Sequence, residues 1–262
     1  MSGPDLETYT PTLPEIDPLD PDNLLTVDGV SVRFGGVQAV SGATITARRG
    51  QVTGLIGPNG AGKTTTFNII TGLEAPSEGK IYLSGKDVSS LPPYKRARLG
   101  LARTFQRLEV FGTLTAYENV LAAAEFRRSW SKDGSNPREV TEGILDRVGI
   151  RHVADERVDA LPTGLARLVE LGRGLATKPN VLLLDEPGSG LDIAESEALG
   201  DLLLELAEGG MAVLIVEHDV ELVMRVCSRI HVLDFGRIIC VGTPREVQAD
   251  AAVQAAYLGA DE

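Results

Sequence analysis

No stretch of this 262-residue chain approaches the roughly 18–20 consecutive apolar residues that a membrane-spanning helix requires. The apolar runs that occur, at residues 181–184 and 211–216, are strand-sized, so any membrane role is expected to come through a partner. Positive charge is also scarce: 25 Lys and Arg stand against 37 Asp and Glu, a formal net charge of −12. That balance lacks the basic stripe through which nucleic acid or anionic lipid is held, and nucleic acid is not expected as a partner. There are only two cysteines, Cys227 and Cys240, with no CxxC pair or metal-ligand spacing. Both read as buried thiols without chemistry. The amino terminus has neither a basic start nor the apolar core of a signal peptide, so secretion is not expected. Internal repeats are absent. What is present suits a globular protein: hydrophobic residues make up 43% and charged residues 24%, enough to build a sizeable core in one large domain or two small ones.

Residues 1–23 carry Pro4, Pro11, Pro14, Pro18 and Pro21 and six acids, with no Lys or Arg. This composition predicts a disordered acidic tail that supplies −6 of the net charge. The globular part is expected to begin at Leu24. Short β-type runs at 24–27, 30–34 and 43–47, separated by Gly and Asp turn signals, predict antiparallel strands. From Gln51 the pattern changes to an apolar strand over 52–56, a Gly-rich loop and a helix over 63–72, the order of an α/β fold. The runs 181–184 and 213–216 lack polar alternation, as strands covered on both faces should. A helical pattern over 193–207 lies between them. Residues 94–175 are rich in Ala, Arg, Leu and Glu without a comparable buried strand, which predicts a helical insert.

The most specific signal is Gly57-Pro58-Asn59-Gly60-Ala61-Gly62-Lys63-Thr64, a full match to G-x-x-x-x-G-K-[ST] between a strand and a helix. Successive backbone N–H groups at a helix N-terminus surround a phosphate, and glycines let the backbone approach it. Lys63 would add a cation for the β and γ phosphates, and Thr64 a hydroxyl for Mg²⁺. The second signal is an apolar strand ending in Asp185-Glu186-Pro187. Magnesium takes oxygen ligands and keeps several waters, so Asp185 at the strand end can hold it, leaving Glu186 to orient or deprotonate a water. Alone, such a pair could equally be an acidic turn. His218 follows the strand over 213–217. A lone His is often structural, but the carboxyl end of a strand in this fold faces the ligand crevice.

Together these residues resemble the nucleotide-binding subunit of an ABC transporter, and the resemblance runs from Leu24 onward. It implies an α/β fold: a P-loop NTPase (RecA-like) core with an antiparallel β subdomain and the helical insert, one ATPase domain over 24–262. Gln106 in Arg103-Thr104-Phe105-Gln106 resembles the Q-loop, Ser189-Gly190-Leu191-Asp192 the D-loop, and His218 the switch histidine. Phe34 sits where the family stacks an aromatic on adenine, although a core Phe is the alternative. The cofactors implied are ATP and Mg²⁺. Gly57 through Thr64 with Thr65 would hold the phosphates; Thr64, Gln106 and Asp185 would serve the metal. Glu186, His218, Gln106 and Lys63 would be catalytic. Thr163, Gly164 and Asp192 would reach the nucleotide across a head-to-tail dimer.

The signature motif departs from the family pattern. The usual Leu-Ser-Gly-Gly-Gln is here Leu161-Pro162-Thr163-Gly164-Leu165. Pro162 removes a hydroxyl and an N–H, and Leu165 replaces an amide; a weakened half-site working beside a different ATPase is therefore expected. Residues 91–106, 114–120 and 256–259 resemble the subunits that power branched-chain amino acid and related amide importers. This implies two permease subunits, a second ATP-binding subunit, an extracytoplasmic solute-binding protein reached through the permease, and a peripheral position on the cytoplasmic face of the inner membrane. Lipopolysaccharide-exporter ATPases are near relatives and an alternative, as is a nucleotide-sensing subunit that does not turn over.

Overall fold

The computed structural model describes residues 17–258. Two sheets and a helical unit build the molecule. The first sheet, of order β2-β1-β4-β5, is antiparallel and comprises β1 (Asn23–Phe34), β2 (Val37–Arg48), β4 (Glu78–Leu83) and β5 (Lys86–Asp87). The second, of order β10-β9-β3-β8-β7-β6, contains β3 (Val52–Ile56), β6 (Leu101–Arg103), β7 (Val181–Asp185), β8 (Ala212–Val216), β9 (Arg229–Asp234) and β10 (Arg237–Gly242). Its strands are parallel except at β10, which pairs antiparallel with β9.

The parallel strands are buried on both faces, which explains their unbroken apolar runs. Alternate residues serve different cores: Leu182, Leu184, Val213 and Ile215 face one, Leu183, Leu214 and Val216 the other. The second core also receives Leu25, Ile45 and Ile81 from the antiparallel sheet and Phe67, Ile69 and Ile70 from α1 (Lys63–Thr71). The first core runs into the helical unit of α3 (Ala116–Arg128), α4 (Pro137–Arg147) and α5 (Thr163–Ala176) through Val120, Leu145 and Val169. It also takes Leu199 and Leu203 of α6 (Ile193–Glu208) and Val223 of α7 (Val220–Val226). Helices α8 (Pro244–Ala249) and α9 (Ala251–Leu258) finish the chain beyond β10.

Several expectations are corrected. The runs at 24–27 and 30–34 form one strand, β1, because the Asp28-Gly29 turn signal is accommodated as an irregularity in register rather than a turn. Residues 17–22, assigned to the acidic tail, are turns against the domain: Asn23 Nδ2 donates to the Asp17 carbonyl at 2.9 Å, and Arg48 faces Asp20 and Asp22 at 3.4 and 3.5 Å. Residues 1–16 of that expected tail lie outside the described residues. The stretch 94–175 is not uniformly helical, for β6 enters the main sheet beside β7; three residues ending in an arginine are too short to read as an apolar strand. Cys240 is half-buried rather than buried, whereas Cys227 is buried and its thiol is pushed up to about 12 by desolvation.

The helix after the Gly-rich loop is anchored from α2 (Pro93–Arg98). Arg96 is 1% exposed, and its hydrogen-bond partners among the described residues are all carbonyls: Ile69 and Ile70 at 2.7 and 2.8 Å, Leu91 and Ser89 both at 2.9 Å. Ile69 and Ile70 belong to the last turn of α1, where the Ile69 carbonyl also accepts from the C-cap Gly72 N–H at 3.1 Å, and a cation at these terminal carbonyls is favoured by both hydrogen bonding and the helix dipole. Gly72 follows with φ 80, where a Cβ would meet the Arg96 guanidinium at 2.8 Å. The segment 114–120 is likewise structural: Thr115 and Glu118 form a capping box, and buried Asn119 bonds the Phe111 backbone in both directions at 2.9 and 3.0 Å.

Candidate functional site

The loop between β3 and α1 is shaped by its glycines. A Cβ on Gly57 would lie 1.9 Å from the Leu233 carbonyl, and one on Gly62, at φ 107, would lie 2.6 Å from that of Ala39. Neither position admits another residue without moving a neighbouring strand. No side chain caps the N-terminus of α1, which leaves its first N–H groups available to an anion. Lys63 folds back over the loop, its Nζ donating to the carbonyls of Gly57 at 2.6 Å and Pro58 at 2.9 Å. Burial lowers its pKa, and Glu186 and Asp185 oppose that shift. Thr64 is exposed at the helix start; Thr65 is half-buried. Pro58, Asn59, Gly60 and Ala61 complete the turn, with the Ala61 carbonyl accepting from Gly236 N at 2.9 Å.

Around Glu186 three separated segments converge. Its Oε1 accepts from Gln106 Nε2 at 3.2 Å and lies 2.6 Å from His218 Nε2. Glu186 itself has φ 52, a left-handed backbone that costs a non-glycine residue about 1 kcal/mol or more and accumulates at functional positions. Its N–H is held by the Val216 carbonyl at 2.8 Å. Beside it, Asp185 is 2% exposed and pairs with Arg103 at 3.2 Å. Burial raises the Asp185 pKa, and the Arg103 charge opposes the rise. An exposed hydroxyl (Thr64), a carboxylate (Asp185) and a side-chain amide (Gln106) are the oxygen donors that Mg²⁺ takes alongside phosphate and water. Among the described residues no three His, Cys, Asp or Glu side chains form a metal-holding group.

The remaining expected nucleotide contacts lie elsewhere. Thr163 and Gly164 open α5, where a Cβ on Gly164 would stand 2.7 Å from the Gly190 carbonyl. Gly190 in turn approaches Thr163, so the signature and D-loop segments pack on each other. Asp192 caps α6, accepting from Glu195 N at 2.8 Å. None of these three residues has a hydrogen bond to the loop of Gly57–Thr64 among the described residues; Thr163 and Asp192 are exposed, and Gly164 is buried. Phe34 ends β1 with 47% of its surface exposed, so the core alternative for its ring does not hold.

Four residues that sequence reasoning gave no role organise this region. Glu170 of α5 accepts from the backbone N–H of Phe105 and Glu109 at 3.2 and 3.3 Å, fixing both sides of Gln106. Arg167 donates to the Gln106 carbonyl at 3.0 Å. Glu217 accepts from Gly188 N at 2.6 Å and His218 N at 3.0 Å, tying the ends of β7 and β8 together; burial raises the pKa of both glutamates. The fourth is Arg103. The available signal was a charged residue inside or beside an apolar element, which is costly unless paired. Next to Gln106 lies an apolar groove of about 640 Å³ lined by Leu73, Phe105, Phe111, Phe126 and Arg173.

Residues 40–189 match the family model described as ABC transporter, and residues 237–262 match that of the branched-chain amino acid ATP-binding cassette transporter. The chain is 37% identical to the high-affinity branched-chain amino acid transport ATP-binding protein BraF of Pseudomonas aeruginosa, covering 90% of this chain and 98% of the relative. It is 36% identical, with the same coverages, to the lipopolysaccharide export system ATP-binding protein LptB of Haemophilus influenzae. The solved structure of a nucleotide-free ATP-binding cassette from an ABC transporter matches with a TM-score of 0.79 at 30% identity, covering 90% of this chain and 98% of that one.

Proposed function

This chain belongs to the ABC transporter family, as an ATP-binding and ATP-hydrolysing subunit that works with membrane permease partners and dimerises, and from that premise we propose that it powers the uptake of branched-chain amino acids or related small solutes. The carboxyl-terminal match over residues 237–262 supports this solute class. The 36% identity to a lipopolysaccharide-export ATPase supports the alternative cargo.

The observation that carries the catalytic reading is the convergence of Gln106 and His218 on one oxygen of Glu186 beside the Gly-rich loop. Attack of water on the γ-phosphate of ATP is accelerated mostly by positioning and charge stabilisation. The loop amides and Lys63 hold the phosphates. Glu186 accepts the proton of the attacking water, while His218 and Gln106 fix its carboxylate and line the path of the γ-phosphate. Thr64, Asp185 and Gln106 would hold Mg²⁺, which supplies positive charge to the phosphate oxygens when bound. Phe34 offers a flat, accessible face for adenine.

Thr163, Gly164 and Asp192 serve the ATP of a second ATPase chain in a head-to-tail pair. Pro162 and Leu165 weaken that half-site, so the partner is a different ATPase with a full signature. Two permease subunits, one seated in the groove beside Gln106, place the chain on the cytoplasmic face of the inner membrane, with an extracytoplasmic binding protein delivering solute. Purification of the tagged chain from native membranes, followed by mass spectrometry and an ATPase assay, tests this. The expected result is two multi-span permeases, a second ATPase and Mg²⁺-dependent turnover. Recovery without membrane proteins overturns the importer reading, absence of turnover in the full assembly leaves a nucleotide sensor, and equal turnover without the second ATPase removes the paired-ATPase reading.

A further inference from the structure

Arg103 spans the distance between two regions with different tasks. Arg103 ends β6 and is one of the residues that line the groove beside Gln106. Its side chain, only 4% exposed, turns inward to Asp185 at 3.2 Å and to Asn68 Oδ1 of α1 at 2.7 Å. The guanidinium also lies against two rings, 4.6 Å from the centre of Phe105 and 5.3 Å from that of Phe67. Phe105 is itself a wall of the groove. One cation therefore touches the β7 carboxylate, the helix after the Gly-rich loop and an aromatic face of the groove. Its Nε has no acceptor among the described residues, so the guanidinium is held by one carboxylate, one amide and ring faces rather than locked by a full set of partners.

We propose that Arg103 is a positioning residue that links the nucleotide site to the groove: its guanidinium competes with the metal for the Asp185 carboxylate and shifts against Phe105 as Asp185 turns to the metal. This rests on Asp185 serving the metal and on the groove seating the permease. The physical basis is competition: a carboxylate cannot give its full charge to a guanidinium and to a divalent cation at once, so strengthening one contact weakens the other. Stacking on Phe105 transmits the displacement, since a guanidinium slides over a ring at small cost while keeping contact.

The single tryptophan gives a readout that does not depend on turnover. Trp130 packs edge-on against Phe126 with ring centres 5.1 Å apart, and Phe126 lines the groove. The full chain is titrated with the β,γ-imido analogue of ATP, with Mg²⁺ varied, while Trp130 emission is followed and binding is measured by calorimetry. In the wild-type chain, analogue with Mg²⁺ changes Trp130 emission. In Arg103→Met the analogue still binds, the emission change falls at least by half, and half-saturation by Mg²⁺ drops about tenfold because the competing cation is gone. Arg103→Lys keeps a cation beside Asp185 and stays near the wild-type Mg²⁺ dependence.

An unaltered emission change and Mg²⁺ dependence in Arg103→Met overturn the proposal. So does a wild-type chain that binds the analogue with no Trp130 response. Loss of binding in both variants together with a lowered melting temperature makes Arg103 structural and overturns it as well. If the wild-type chain fails to bind the analogue at all, the nucleotide-site reading falls with it, which the calorimetric signal distinguishes.

Discussion

Replacing Glu186 by Gln keeps an oxygen for Gln106 and His218 to meet while removing the group that can take a proton. ATP should therefore still bind, and single-turnover hydrolysis should slow by about 10²–10⁴-fold, the usual contribution of a general base. Near-normal rates would assign the base elsewhere. Lys63→Ala acts differently, because the side chain hydrogen-bonds loop carbonyls and its charge is disfavoured by burial and favoured by Glu186 and Asp185. Calorimetry should show ATP affinity weakened by about 2 kcal/mol, as for a lost charge-assisted bond, with circular dichroism unchanged. At this scale the Gly-rich loop was legible because its chemistry is contiguous in sequence. In the cluster on Glu186, that carboxylate and His218 were legible from their places after apolar strands and Gln106 only through family resemblance; Gln106 and His218 stand 80 and 32 residues away from Glu186, so no local pattern joins them. Glu170 and Glu217 carried no motif; only their burial against backbone N–H groups reveals what they hold.

Among the elements, α1 depends most on a single distant side chain. Arg96→Met keeps the apolar stem but leaves the carbonyls of Ile69, Ile70, Leu91 and Ser89 without that donor in a buried setting. Urea unfolding should give a loss of about 3 kcal/mol, the scale of desolvated polar groups left unpaired. Lys in place of Arg should recover only part of it, because an ammonium cannot match the planar fork. An unchanged midpoint would mean that the end of α1 is held by packing alone. Sequence patterns located this helix and strands β3, β7 and β8, where apolar runs and turn signals agree. They divided β1 at Gly29 and passed over β6, because an irregular strand contains a turn-like residue and a three-residue edge strand ends in a charge. In both cases hydrogen bonding to a neighbouring strand outweighs local preference, and that neighbour is set by tertiary structure.

Across the whole molecule, pH enters through a residue with no part in the nucleotide site. His231 of β9 is 1% exposed, and its ring lies beside the Thr46 backbone, which opposes the loss of charge, without a well-aligned hydrogen bond at either nitrogen among the described residues. Burial, with a smaller push from Arg229, lowers its pKa to about 3. The folded pKa is below the unfolded one, so stability is fully present above pH 6.5 and is lost as pH falls toward about 3. That loss amounts to roughly 4–5 kcal/mol over the window. Glu170, Asp185, Glu217 and Asp234 are shifted upward and act in the opposite sense, so the His231 share is read as the difference between wild type and His231→Phe in melts at pH 7, 5 and 4. Equal slopes for the two chains would show that His231 does not titrate on unfolding. The separation of Thr163 and Gly164 from the Gly-rich loop has a consequence in inheritance. On the head-to-tail pairing, Lys63 and Gly164 of one chain serve different sites, so when two copies pair, an allele changed at Lys63 and one changed at Gly164 damage opposite ends of the same site. If the chain pairs with itself, a cell carrying both alleles assembles some pairs with one intact site, and growth on the transported solute returns. If it pairs with a different ATPase, every assembly inherits one defect and the alleles do not complement.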